Sequence, residues 1–182
     1  MNELFNIKDN VTVITGGTGV LGRTIAKYLA KNGAKVIILG RKEDVGNEIV
    51  EDIKKEGYHA EFMKTDVMNQ ELVQKNCDDI IAKYGRIDTL LNAAGGNMPG
   101  AVIAPDKNFF DLKVEEFQKV LNLNLTGTVI PNIPETYGET RQGFDYQFLF
   151  NGSIPSYNTC MRLCSSQSWY KQFYGIHGNR VC

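Results

Sequence analysis

Residues 11–22 read Val11-Thr-Val-Ile-Thr-Gly-Gly-Thr-Gly-Val-Leu-Gly22, and a helical pattern begins where they end. The first five form a β-branched run suited to a buried strand. From Val20 to Asn32, Leu21, Ile25, Tyr28 and Leu29 recur at helical spacing, and Gly33 stops the run. Between strand and helix, Gly17-Thr-Gly19-Val-Leu-Gly22 has the spacing G-x-G-x-x-G. Such a turn lets the backbone approach a pyrophosphate closely, while the helix N-terminus offers oriented N–H groups and a partial positive charge. A side chain at the contact points would block that approach. Thr15, Gly16, Gly17, Thr18, Gly19, Val20, Leu21 and Gly22 are therefore candidate dinucleotide-binding residues. The competing reading is a plain tight turn.

Outward from this stretch, strand and helix patterns alternate at roughly 25-residue spacing. Lys35-Val-Ile-Ile-Leu39 is a second apolar run. Glu43 to Glu56 carries Val45, Ile49, Val50 and Ile53 on one helical face, ending at Gly57. Ala60 to Lys64 reads as a third strand. Asn69 is a candidate cap for a helix bearing Leu72, Val73, Cys77, Ile80, Ile81 and Tyr84 before Gly85. Ile87 to Leu91 makes a fourth strand, and a fifth helix is expected from about Val114 through Phe117, Val120 and Leu121 to beyond Leu125. This alternation predicts an α/β fold, a doubly wound parallel sheet of the Rossmann type, incomplete at its C-terminus.

The chain has 182 residues and a net charge of −1, with 20 Lys and Arg against 21 Asp and Glu. That balance argues against a nucleic-acid partner or a membrane surface, either of which calls for a basic face. No apolar run reaches transmembrane length, and the start lacks a signal peptide's layout, so a soluble, cytoplasmic protein is expected. Composition changes abruptly at residue 130. Residues 1–130 contain 9 Ala, 12 Val, 13 Lys and no Ser, whereas the last 52 contain no Ala, one Val, one Lys and 5 Ser. Residues 1–130 are thus expected to form a partial nucleotide-binding domain. Residues 131–182 read as an aberrant tail with no helical or strand periodicity. No metal site is expected, since His59 and His177 lack neighbours at ligand spacing and Cys160-x-x-x-Cys164 is not a zinc or redox motif.

At this point the sequence resembles the short-chain dehydrogenases/reductases. Their signature T-G-x-x-x-G-x-G is matched by Thr15, Gly16 and Gly22, with Val20 where the middle glycine is usual. Three further stretches resemble family motifs in order: Asp66-Val67 after the third strand, Asn92-Ala93-Ala94-Gly95 at the end of the fourth, and Asn124-Leu-Thr-Gly127 on the following helix. The resemblance implies that Asp66 and Val67 lie near the adenine, that Asn92 to Gly95 border the cofactor, and that Asn124 helps hold a catalytic water. Plainer roles exist for each. Asp66 can initiate a turn, Asn92 can tie neighbouring loops, and Asn124 can be a helix-interior contact, with Asn122 competing for its role. The resemblance also implies oxidation or reduction of a carbonyl/alcohol with NAD(P)(H). The loop Gly95-Gly-Asn-Met-Pro-Gly100 resembles sugar-acid reductases of the fructuronate (mannonate) type.

At the end of the second strand stand Arg41 and Lys42 rather than an acid. A guanidinium suits a 2′-phosphate, so NADP is favoured over NAD. The alternative makes both residues solvated charges ahead of the next helix, in which Glu43 and Asp44 are first-turn acids.

The family's proton-transfer chemistry needs Tyr-x-x-x-Lys and a Ser thirteen residues before the Tyr. No Tyr in this chain has a Lys four residues later; Tyr137 has Arg141 there. Advanced by one nucleotide, however, the codons shared by Phe150 and Asn151, by Leu163 and Cys164, and by Gln167 and Ser168 can encode Ser, Tyr and Lys at the family's spacing. A frameshift near Pro131 is therefore expected, leaving the cofactor half without its catalytic partners; the alternative is a genuine divergent tail. Family oligomers use helices from the lost region, so assembly is doubtful. The alternatives to an inactive dehydrogenase are a non-catalytic dinucleotide-binding module and a non-functional gene fragment.

Overall fold

Every residue of β1 (Val11–Thr15) is buried, as expected for a strand covered on both faces. In the computed structural model, which describes residues 6–134 and the backbone of 146–147, β1 lies between β2 (Lys35–Gly40) and β4 (Thr89–Asn92). β3 (Ala60–Lys64) flanks β2. All pairs are parallel, and Thr15 stands opposite Leu39 on one side and Asn92 on the other. The order β3-β2-β1-β4 is that of the doubly wound dinucleotide-binding fold through its fourth strand. The outer edge of β4 is met at Leu91 and Asn92 by the two-residue parallel strand β5 (Tyr146–Gln147). The remaining residues of interest after 134, including Tyr137, Arg141, the three tail cysteines, His177 and the shifted codons, lie outside the described residues.

Helices α1 (Val20–Lys31) and α2 (Glu43–Lys55) cover one face of the sheet, and α3 (Gln70–Tyr84) covers the other. Strand side chains alternate between two cores accordingly. Ile14, Val36, Ile38 and Leu91 meet α1 and α2, while Val11, Val13, Ile37, Leu39 and Leu90 meet Cys77 and Ile80 of α3. Full burial of each large aliphatic side chain contributes about 1.5–3 kcal/mol. Asn69 caps α3 as expected, its side chain accepting from the Leu72 N–H at 3.0 Å. Gly85 ends α3 with φ 76°, a left-handed conformation that glycine adopts at little cost.

Three expectations need correction. Of the four expected residues Ile25 and Leu29 pack, partly buried, against the core, but Leu21 and Tyr28 are 51% and 67% exposed, and the fully buried face of α1 is Gly22, Ala26 and Ala30. The helix lies so close to the glycine turn that only small residues fit beneath it. The fourth strand begins at Thr89, not Ile87, because the Asp88 carboxylate turns back to accept the Val11 N–H at 2.8 Å. The helix from Val114 is the fourth, α4 (Val114–Leu121), not the fifth, since residues 93–113 form only two 3₁₀ turns, Pro99–Ala101 and Phe109–Asp111. Past Leu121 the helix continues through a π-helical stretch, Asn122–Thr126, into Gly127–Val129.

Candidate functional site

The glycine turn occupies the carboxyl edge of β1, where open α/β sheets bind their ligands. Gly16 has φ 63°, and a Cβ there would lie 2.6 Å from the Ala93 carbonyl oxygen. A Cβ on Gly22 would lie 2.5 Å from the Gly16 oxygen. These two glycines thus pack backbone on backbone and hold helix, turn and β4 loop together. Gly17 is buried against Ile38 and donates its N–H to the Leu39 carbonyl at 3.2 Å. Gly19 differs from them. It is exposed, and a Cβ on it would meet only the Gly16 oxygen, at 3.2 Å.

Gly19 is also the N-cap of α1, so no side chain caps the helix, and its first turn carries no acid. The leading N–H groups of α1 therefore face outward with an uncompensated partial positive charge. Val20 and Leu21 extend into solvent beside them. A phosphate fits such a cradle by its donors and by the open space over Gly19. Thr15 is fully buried, and its hydroxyl accepts the Ala94 N–H at 3.2 Å, so its side chain fixes the β4 loop rather than facing a ligand.

At the end of β2, Thr18 packs over Gly40, where a Cβ would lie 2.8 Å from its side-chain atoms. Arg41 and Lys42 just beyond are exposed, and among the described residues neither makes an ion pair. Glu43 and Asp44 occupy the first turn of α2, with Glu43 3.8 Å from Lys64. After β3, the Asp66 carboxylate accepts the Met68 N–H at 3.0 Å, a turn-forming bond that among the described residues leaves its second oxygen uncommitted. Val67 is 6% exposed and packs beneath Gly127, so its side chain belongs to the interior. An open groove of about 1080 Å³ runs from Asp66 along the first turns of α3.

The β4 loop brings together residues far apart in sequence. Asn92 is 1% exposed, and neither its amide nitrogen nor its oxygen has a partner among the described residues. Its side chain is thus enclosed in the sheet's α3-side core rather than presented to the edge. Ala93 donates its N–H to the Thr15 carbonyl at 3.2 Å, and Gly95 is exposed. Asn124 spends both ends of its amide on one residue: Oδ1 accepts from the Gly96 N–H at 2.9 Å, and Nδ2 donates to the Gly96 carbonyl at 3.0 Å. Its own carbonyl accepts the Thr128 hydroxyl at 2.8 Å. Asn124, not the exposed Asn122, is the residue that meets the site, and its side chain positions the loop. Sequence reading missed Gly96, Thr128 and Glu116, which accepts the Gly100 N–H at 2.7 Å. No motif spacing signals these pairings.

No described phenol reaches this edge. Tyr28 is exposed on α1, while Tyr58 and Tyr84 lie at the opposite end of the sheet. There Tyr84 donates to Glu61 at 2.5 Å, beside Lys83 at 2.6 Å and His59 at 3.7 Å. Burial, then the bond to Glu61, pushes the Tyr84 phenol well above its ordinary range. Burial alone would raise the Glu61 carboxyl too, but the bonds from Lys83 and Tyr84 outweigh it and hold the group below the usual range. Among the described residues no three ligating side chains cluster as a metal would require, and no helix is long and apolar enough to cross a membrane.

Residues 10–132 match the model of the short chain dehydrogenase family. The uncharacterized oxidoreductase UxuB of Bacillus subtilis is 34% identical over 133 residues, which cover 69% of this chain and 48% of the relative. A candidate D-mannonate oxidoreductase from Haemophilus influenzae, solved with bound NAD, superposes with a TM-score of 0.64 at 30% identity, covering 70% of this chain and 49% of that one. An actinorhodin polyketide ketoreductase variant with NADPH superposes with a TM-score of 0.61 at 26% identity, covering 68% and 45%. The chain spans about half the length of the curated relatives it matches. The family match ends at residue 132, beside the change in composition.

Proposed function

Because this chain belongs to the short-chain dehydrogenase family, we propose that residues 1–130 bind a nicotinamide dinucleotide across the carboxyl edge of the sheet. The observation that carries the reading is the uncapped N-terminus of α1, opened by Gly19 and held against the turn by Gly16 and Gly22. The pyrophosphate lies over Thr18 to Gly22, received by backbone N–H groups. Gly17 and Thr15 support the turn from inside. Arg41 and Lys42 face the adenosine ribose, so NADP(H) binds more tightly than NAD(H). Asp66 borders the adenine with its free oxygen, and Val67 shapes the floor through its backbone. Ala93, Ala94 and Gly95 carry the other half of the cofactor, with Asn92 bracing them from beneath.

When bound, the nicotinamide supplies hydride exchange with a carbonyl or alcohol. The chain brings no Tyr-x-x-x-Lys to that chemistry, and no tyrosine whose side chain the structure describes lies at the carboxyl edge. We therefore infer that the 182 residues bind cofactor without turning over substrate. Residues after about 131 are read from a shifted frame. The parent activity is oxidation or reduction of a small-molecule carbonyl/alcohol. A sugar acid is favoured by the wording of the Gly95–Gly100 loop and by a structural neighbour associated with D-mannonate.

Fluorescence titration of the mass-confirmed chain with NADPH and NADH tests the reading. Saturable binding, tighter for NADPH and with no turnover of mannonate or fructuronate, is expected. Absence of binding to either cofactor refutes it, and robust turnover refutes the inactive assignment. Cooperative unfolding together with tight binding would favour a binding module over a gene fragment.

A further inference from the structure

The loop after β4 is pinned to α4 and to its π-helical continuation at two glycines four residues apart. Gly96 is held through both backbone groups by Asn124. Gly100 is held through both of its own: the N–H donates to Glu116 Oε2 at 2.7 Å, and the carbonyl accepts the Lys113 N–H at 2.8 Å. Gly100 is buried, and a Cβ on it would lie 2.6 Å from the Glu116 carboxyl carbon, so the contact is made directly on backbone. Both Glu115 and Glu116 occupy the first turn of α4, where an exposed acid already complements the helix dipole. Glu116 instead turns inward, with its side chain 27% exposed and Lys113 3.6 Å away.

Topology says what this loop faces. β4 lies on the side of β1 opposite β2. A dinucleotide with its adenosine ribose at the end of β2 and its pyrophosphate on α1 extends its remaining half over the end of β4. That end leads directly into Ala93 to Gly100. We propose that Glu116 is a positioning residue that latches Gly100, and that this latch presets the loop for the nicotinamide half of the cofactor. The proposal rests on the dinucleotide reading above. Asn124 fixes the near end of the segment and Glu116 the far end, so Asn97, Met98 and Pro99 are held between two fixed points. Binding then does not have to order the loop.

The test compares whole cofactors with fragments lacking nicotinamide, using the full 182-residue chain. NADPH and NADH are titrated beside 2′-phospho-ADP-ribose and ADP-ribose. Glu116→Ala is expected to weaken dinucleotide binding on the order of tenfold, the scale of one hydrogen bond to a charged group, and to leave fragment binding unchanged. Glu116→Gln keeps an acceptor oxygen and is expected to rescue most of the loss. Hydrogen exchange at the Gly100 amide should accelerate in Glu116→Ala and remain slow in Glu116→Gln. Should Glu116→Ala not fold, Gly100→Ala disturbs the same contact from the other side and must show the same split. Equal weakening of dinucleotide and fragment, or no weakening of either, overturns the latch alone. Failure of the unaltered chain to bind any of the four probes refutes the dinucleotide reading itself.

Discussion

Two glycines three positions apart should respond to the same methyl group in opposite ways. In Gly22→Ala the new Cβ would stand 2.5 Å from the Gly16 oxygen and 2.7 Å from the Gly17 Cα. Both neighbours are backbone, so no rotamer change relieves the overlap. Reaching ordinary contact requires α1 to withdraw by roughly 0.9 Å, carrying Ala26 and Ala30 away from the sheet. Overpacking of this kind costs about 3 kcal/mol at the upper end of its usual range. Alanine's better helix propensity returns about 1 kcal/mol. The net loss of about 2 kcal/mol corresponds to a fall in Tm of roughly 8 °C for a domain of this size. In Gly19→Ala the methyl meets only one oxygen, at 3.2 Å, and replaces a helix cap of modest strength, so the stability loss is about 0.5 kcal/mol. It does, however, intrude on the space proposed for the pyrophosphate, and NADPH affinity should fall by on the order of tenfold or more. Thermal unfolding followed by circular dichroism, with parallel NADPH titrations, separates the two effects. A Gly22→Ala protein with the parent Tm would refute the backbone contact as a source of rigidity. Unchanged affinity in Gly19→Ala would refute the cradle.

Among the described residues the two buried amide atoms of Asn92 have no partner; Asn92→Leu, which keeps the number and branching of side-chain heavy atoms, removes a desolvation cost of about 1–3 kcal/mol and should raise stability in urea unfolding, and a loss of stability would show that the amide has a partner. Arg41→Ala should weaken NADPH binding and leave NADH nearly unchanged, narrowing the ratio of their dissociation constants; a parallel loss for both would make Arg41 a general surface charge. The depressed Glu61 carboxyl contributes stability that is present above its unfolded pKa and is lost as pH falls through the lower folded value. The raised Tyr84 phenol contributes stability that is present below its unfolded pKa, near 10, and is lost as pH rises toward its folded value. Stability should thus decline both in acid and in strong alkali, and Glu61→Gln should flatten the acid limb; an unchanged acid limb would place the titration elsewhere. Resequencing the DNA across codons 128–135 should reveal an insertion or deletion, and an intact single frame would leave the tail genuine.

The positions of the strands along the chain were legible in sequence because each is a short run bounded by glycine or a charged helix start. The cradle was legible for a related reason: a glycine turn between strand and helix is a local feature, complete within residues 11–22. The inward face of α1 was not, since Gly22, Ala26 and Ala30 pack by being small and carry little hydropathy signal. Nor was the working contact of Asn124, which lies in a π-helical stretch and whose partner Gly96 is 28 residues away. Glu116 resembles any first-turn acid in sequence, and only its bond to Gly100 distinguishes it from Glu115. For Val67 and Asn92, motif position suggested side chains beside the cofactor, but the turn after β3 packs Val67 beneath Gly127 and strand alternation in β4 turns Asn92 inward.

The most direct test of the account is amide chemical-shift mapping of the isotopically labelled 182-residue chain titrated with NADPH. Shifts confined to Thr18 to Gly22, Arg41, Lys42, Asp66, Val67 and Ala93 to Gly100, with the Glu61 and Tyr84 amides unmoved, are predicted. Shifts centred on the Glu61–Tyr84 end of the sheet, or none at saturating NADPH, would contradict the claim that this chain is a dinucleotide-binding half.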